Sequence, residues 1–152
     1  MKTFLITILF LAIFTSCSKN NAFSYFEIDQ KQAKSEDSLQ SSKFFDGTNS
    51  KGILSVIYLN RVLPDNYNDR EYFYIYLYTK KEAAEVEFLL NGEEPLEIKK
   101  LKPLNEFSDL TSFKGDWQRY YLVAFKTNSE VLTLIAKTPQ STTREIIFKK
   151  DN

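Results

Sequence analysis

The chain has 152 residues, 20 basic and 20 acidic side chains, one cysteine and no histidine. That length fits one domain, and 43% hydrophobic residues supply enough apolar material for a core. A formal net charge of zero excludes the basic footprint of a nucleic-acid binder. The missing histidine removes the commonest general base and transition-metal ligand, and a single cysteine allows neither an internal disulfide nor a thiolate zinc site.

The chain opens with Met1-Lys2, a minimal positive segment, and then Phe4 to Phe14, a run of 11 apolar residues and threonine. Such a run suits the hydrophobic part of an export signal and falls well short of the roughly 20 residues that a spanning helix needs. Phe14-Thr15-Ser16-Cys17 follows at once, with small residues at the two positions before the chain's only cysteine. This segment resembles the lipobox of bacterial lipoproteins, although Phe14 stands where leucine is usual. The resemblance implies export, transfer of diacylglycerol to the Cys17 sulfur, cleavage before Cys17 and acylation of the new amine. The alternative is ordinary signal-peptidase cleavage with Cys17 a bystander. Each buried acyl methylene contributes about 0.8 kcal/mol, so two or three chains hold a protein stably on a bilayer. Residues 1–16 are then the signal peptide, residues 17–22 a lipidated tether and residues 23–152 the domain, and the chain from Cys17 onward keeps 19 basic and 20 acidic side chains. By the same resemblance, Ser18 in place of aspartate directs the protein to the outer membrane. Which face of that membrane it occupies is not written in the sequence.

Beyond the tether, apolar residues alternate with period two between turn signals, the pattern of strands. Phe23–Asp29 is the first strand candidate. Residues 30–43 are polar and fit a loop, a short helix or an irregular strand ending at Phe44-Phe45. Asp46 to Ser50 is a turn. Gly52–Leu63 is nearly continuous and β-branched, as in a strand buried on both faces. Pro64-Asp65-Asn66 turns the chain into Arg70–Thr79. Ala84–Leu90 and Pro95–Leu101 flank Asn91-Gly92, a strong hairpin signal. Residues 102–116 form a longer connection anchored by Leu104, Phe107, Leu110 and Phe113. Trp117–Thr127, Val131–Thr138 and Thr143–Lys149 complete the set, with a tight hairpin at Asn128-Ser129.

Seven to nine short strands with no crossover helix close most naturally as an all-β antiparallel sandwich. Tyr121-Leu122-Val123-Ala124-Phe125 resembles the F strand of immunoglobulin and fibronectin type III domains, without their disulfide and packing tryptophan. Pieces such as Val56 to Asn60, Glu71-Tyr72-Phe73, Leu90-Asn91-Gly92 and Tyr120 to Val123 are similar to small Gram-negative outer-membrane lipoproteins with a variant immunoglobulin fold. That resemblance implies an immunoglobulin-like β-sandwich and no particular activity. A small barrel of lipocalin or OB type is the alternative, without a specific motif.

Tyr72, Tyr74, Tyr76 and Tyr78 alternate with Phe73, Ile75 and Leu77, so one face of that strand is wholly tyrosine. Facing outward, the row would be a rigid amphipathic platform for a sugar ring or a protein partner. Its competitor is cover of the rings by neighbouring lysine stems, by residues 30–45 or by residues 102–116, with the hydroxyls reaching water. Pro64 to Glu71 offers oxygen ligands, but its spacing does not fit an EF-hand loop. Glu93-Glu94 sits at a turn tip, open to water rather than across a cleft. Lys80-Lys81 and Lys99-Lys100-Lys102 read as guards against edge pairing, and Trp117 as a core or corner residue. No phosphate loop, G-x-S-x-G elbow or HExxH motif is present. The expectation is therefore no catalytic residue, no metal and no cofactor. The functional reading is a non-catalytic binding module with Cys17 in the bilayer, a protein or glycan ligand and no nucleic acid. The alternative is a periplasm-facing structural or assembly lipoprotein.

Overall fold

The computed structural model describes residues 30–80, 85–112 and 115–150. The signal peptide, Cys17 and the strand expected over residues 23–29 lie outside the described residues, as does Phe113. The elements run α1 (Gln30–Ser38), β1 (Leu39–Asp46), β2 (Asn49–Tyr58), the one-turn helix α2 (Leu59–Val62), β3 (Glu71–Thr79), β4 (Glu87–Leu90), β5 (Glu97–Leu101), a 3-10 turn (Ser108–Leu110), β6 (Arg119–Phe125), β7 (Val131–Thr138), β8 (Ser141–Thr143) and β9 (Ile146–Lys149).

Every strand pairing is antiparallel, as expected. The nine strands of the described residues form one hydrogen-bonded sheet rather than two separate sheets. Its order is β4-β7-β8-β1-β2-β3-β6-β5, with β9 also paired to β7. The path curls. Phe44, Val56, Phe73, Ile75, Val123 and Phe125 from the β1-β2-β3-β6 stretch pack in one cluster with Phe88, Leu132, Leu134, Ile146 and Phe148 from β4, β7 and β9. Phe73 sits at its centre, with ring centroids 5.2 Å from Tyr58, 5.5 Å from Phe148 and 5.9 Å from Phe125. Strand β8 is the hinge of the curl. It pairs with β1 through Phe44 and Phe45, and with β7 through Lys137 and Thr138.

The curl has a local cause in β2. Phe44 pairs with Gly52 but Phe45 pairs with Ser50, so Lys51 is an extra residue on its strand. Such a bulge bends its strand and increases the twist. A Cβ on Gly52 would stand 2.2 Å from the Tyr78 carbonyl oxygen, so only glycine lets β3 lie this close at the bend. The β1-β2 turn is two residues long, with Gly47 at φ 59° as a tight hairpin requires.

Residues 30–43, left open between a loop, a short helix and an irregular strand, divide into α1 and the first half of β1. Other sequence expectations are corrected. The strand expected through Leu63 ends at Tyr58, because Leu59 and Val62 turn back as a helix and cover the tyrosine face. Asn91-Gly92 does turn, with Asn91 at φ 52° and a single bridge between Leu90 and Glu93. It does not join a hairpin, since β4 pairs with β7 and β5 pairs with β6. Asn128-Ser129 likewise carries the chain from one end of the curled sheet to the other, and β6 and β7 are not neighbours. The expected Thr143–Lys149 strand is split between β8 and β9. Of the anchors in the 102–116 connection, Phe107 and Leu110 are buried, whereas Leu104 is exposed.

The edges are guarded by charge and by side-chain donors. At the end of the path, β5 exposes Glu97, Lys99 and Lys100, the arrangement that discourages edge-to-edge pairing. On β9 the carbonyl oxygens of Ile147 and Lys149 accept hydrogen bonds from Gln40 Nε2 (2.8 Å) and Arg61 Nη2 (2.6 Å).

Candidate functional site

The tyrosine row is where sequence and structure differ most. Tyr74 and Tyr76 are buried, Tyr72 is half-buried, and only Tyr78 is exposed. The face expected to look outward is the floor of a second core. Ile57, Leu59, Val62, Phe107, Leu110 and Tyr120 pack on Tyr74 and Tyr76, with α1 lying over the loop that carries Leu110. An exposed four-tyrosine platform is therefore corrected. The covering role suggested for residues 30–45 and 102–116 is the arrangement found.

The covering layer is held by polar contacts. Asn105 folds its loop by accepting the Phe107 N–H (2.9 Å) and donating to the Lys102 carbonyl (2.8 Å). Ser108 Oγ accepts the Asn105 N–H (2.8 Å). Ser35 of α1 donates to the Leu110 carbonyl at 2.6 Å. Helix α1 is thus seated through small serines rather than apolar side chains. The Asn60 side chain ties α2 to β3, accepting the Tyr72 N–H (2.8 Å) and donating to the Arg70 carbonyl.

The tyrosine hydroxyls find partners within this layer. Asn105 Nδ2 lies 3.4 Å from Tyr74 Oη, and Thr111 Oγ1 lies 3.3 Å from Tyr76 Oη. Tyr120 Oη accepts the Gly115 N–H (3.0 Å) and lies 2.8 Å from Gln118 Oε1. Burial dominates over these contacts. It pushes the Tyr74 phenol up to about 12 from an ordinary 10.0, and raises Tyr76 as well.

A second arrangement was not singled out from the sequence. Glu71 opens β3 and is only 7% exposed. Both of its carboxylate oxygens are engaged: Tyr58 Oη donates to Oε2 and Lys150 Nζ to Oε1, each at 2.5 Å. Lys150 Nζ also lies 3.3 Å from the Thr127 carbonyl oxygen. With Asn60, Arg61, Tyr67 and Asn68, this triad lines an open cleft of about 310 Å³ between the α2-β3 connection and the end of β9. A carboxylate with a donor on each oxygen is well placed to fix the cleft's shape. The exposed amide of Asn68 presents donor and acceptor atoms suited to the hydroxyl or carbonyl oxygens of a polar ligand, beside the engaged Arg61 and Lys150. The signal in the sequence was slight: a glutamate where a strand residue should face the core, with its lysine partner 79 positions away.

The other candidates are dispersed. The acidic run after Pro64 is engaged locally, with Asp69 accepting from Tyr72 Oη (2.9 Å) and Arg70 bridging Asp69 and Glu97 at 3.5 and 3.7 Å. Among the described residues, no three carboxylates, cysteines or histidines gather as metal ligands. Glu93 and Glu94 are exposed at their turn. Trp117, expected in the core or at a corner, is 65% exposed and stands edge-on to Tyr78 at 5.3 Å.

Lys150→Met strands a buried carboxylate and should lower stability to urea by about 2 kcal/mol, below the ~3–5 kcal/mol of a wholly buried pair because Lys150 is partly in water. An unchanged unfolding midpoint would show that the triad contributes nothing. A phenol whose folded pKa lies above its unfolded value stabilises fully below pH 10 and loses that contribution as pH rises through about 12. The melting temperature of the wild type should therefore fall across that window more steeply than that of Tyr74→Phe, and parallel curves would contradict the burial of Tyr74.

No protein-family model matches the chain, and neither a curated protein nor a solved structure matches it significantly.

Proposed function

We propose that this chain is an outer-membrane lipoprotein whose immunoglobulin-like β-sandwich is a non-catalytic module that captures a protein or glycan ligand. The observation that carries the reading is the position of the only cysteine. Cys17 closes an 11-residue apolar run with small residues just before it, the one position that lipidation requires. The sandwich reading is supported by the curl of the sheet, which brings β4, β7 and β9 into one core with β2, β3 and β6. The binding reading is supported by the polar cleft beside Glu71, which is lined by polar side chains from several chain segments. A glycan suits such groups, since sugar hydroxyls accept and donate in fixed directions. A non-catalytic role is supported by the absence of histidine from the sequence and by the occupied oxygens of Glu71.

Cys17→Ser should move the protein from the membrane fraction to the soluble fraction, and retention in the membrane would overturn the lipid anchor. Protease shaving of intact cells, with a periplasmic protein as leakage control, then separates two roles. Digestion supports capture of ligands outside the cell. Protection until the outer membrane is opened would overturn surface capture and favour the envelope-assembly role.

A further inference from the structure

Most of the outer face of the β1-β2-β3-β6 stretch is covered, but one corner is open. Lys43 on β1 pairs across the strands with Ile53 on β2, and Ile53 pairs with Tyr78 on β3. Trp117 then stands edge-on to Tyr78, so the four side chains form one row across the sheet. Ile53 is 40% exposed, Tyr78 37% and Trp117 65%, and Lys43 is exposed beside them. Elsewhere on this face the apolar side chains of β2 and β3 are shielded by α1, α2 and the 104–112 loop.

The path of the chain says what this corner meets. Helix α1 lies on the same face, and its first turn reaches the loop leading to Trp117, with Gln32 Nε2 3.2 Å from Ser112 Oγ. Only three positions separate Ser112 from Gly115, which is bonded to Tyr120 Oη. The described residues therefore begin, at Gln30, on the same face of the sheet as the open corner. From Cys17 to Gln30 the sequence can span at most about 45 Å even fully extended.

Resting on the proposed lipid anchor, we infer that the Ile53-Tyr78-Trp117 corner is a bilayer contact that seats the domain against the membrane to which Cys17 ties it. Tryptophan and tyrosine are the side chains that favour the membrane–water interface, where the ring body is buried and the polar atom stays wet. Lys43 at the end of the row suits a phosphate headgroup. Lys51 on the same strand is paired with Asp46 at 3.3 Å, and Asp116 adjoins Trp117, so charge adds little and the rings supply most of the attraction. A single acyl chain binds only marginally, and a second signal of this kind strengthens attachment.

Trp117 is the only tryptophan, so its emission reports this corner alone. The full-length protein purified from membranes is reconstituted into vesicles of phosphatidylethanolamine and phosphatidylglycerol, with and without bromine on the acyl chains. The inference predicts emission at shorter wavelength than for the protein in buffer and loss of most intensity in the brominated vesicles. Emission typical of an indole in water, indifferent to bromine, would overturn it. Ile53→Glu should abolish the bromine quenching while leaving the melting temperature nearly unchanged, and quenching that persists in this variant would also overturn it. Protection of Trp117 by a soluble glycan without any response to bromine would assign the corner to sugars instead. Mass analysis of Cys17 on the same preparation tests the anchor separately. If Cys17 proves unmodified, the Cys17→Ser protein added to the same vesicles still decides whether the corner meets lipid.

Discussion

Burial of β3 on both faces is the constraint on which the rest of the structure depends. One face carries Phe73, Ile75 and Leu77 into the core closed by the curled sheet, and the other carries Tyr74 and Tyr76 into the core beneath α1, α2 and the 104–112 loop. A strand of this kind must be central, and β3 lies between β2 and β6. The two cores differ in chemistry because the two faces do. Phenylalanines and aliphatic side chains make up most of the first, where Tyr58 gives its hydroxyl to Glu71. The tyrosine hydroxyls on the second need partners, and Asn105 and Thr111 supply them from the loop above. That loop is consequently shaped by its own hydrogen bonds, and α1 is held to it by a serine.

The same constraint places the features open to a ligand. Since the middle of the tyrosine face is covered, the exposed aromatic side chains among the described residues lie where the cover stops, at Tyr78 and Trp117. At the other end of β3, Glu71 is enclosed by Tyr58 and Lys150, and Asn60 fixes the entry of the strand. The polar cleft and the aromatic corner thus lie at opposite ends of one strand. A domain seated on a bilayer by its corner would leave the cleft at the far end of β3 free to meet a ligand.

Much of the strand layout was legible in the sequence, and the reason is local. Period-two alternation around Phe73, Ile75 and Leu77 and the turn at Gly47 are written in neighbouring residues. The partner of each strand was not. Asn91-Gly92 carries a hairpin's signature, yet it joins strands from opposite ends of the sheet, because a turn fixes chain direction and not pairing. Leu59 and Val62 satisfy strand and helix patterns equally over so few residues, and only the tyrosine face beneath them decides. A short helix was one of three readings open for residues 30–43, and the sequence did not select it because its packing face is Ser35 and Ser38 rather than apolar residues. The Glu71–Lys150 pair joins residues far apart in the chain, and no spacing rule predicts such a contact.

The central claim is that the tyrosine row is a core and not a surface, and tyrosine iodination of the native protein read by mass spectrometry tests it most directly. Tyr78 should be modified readily, while Tyr74 and Tyr76 stay unmodified until the protein is unfolded. Modification of Tyr74 and Tyr76 at the rate of Tyr78 in the folded state would contradict the account and return the whole row to the surface.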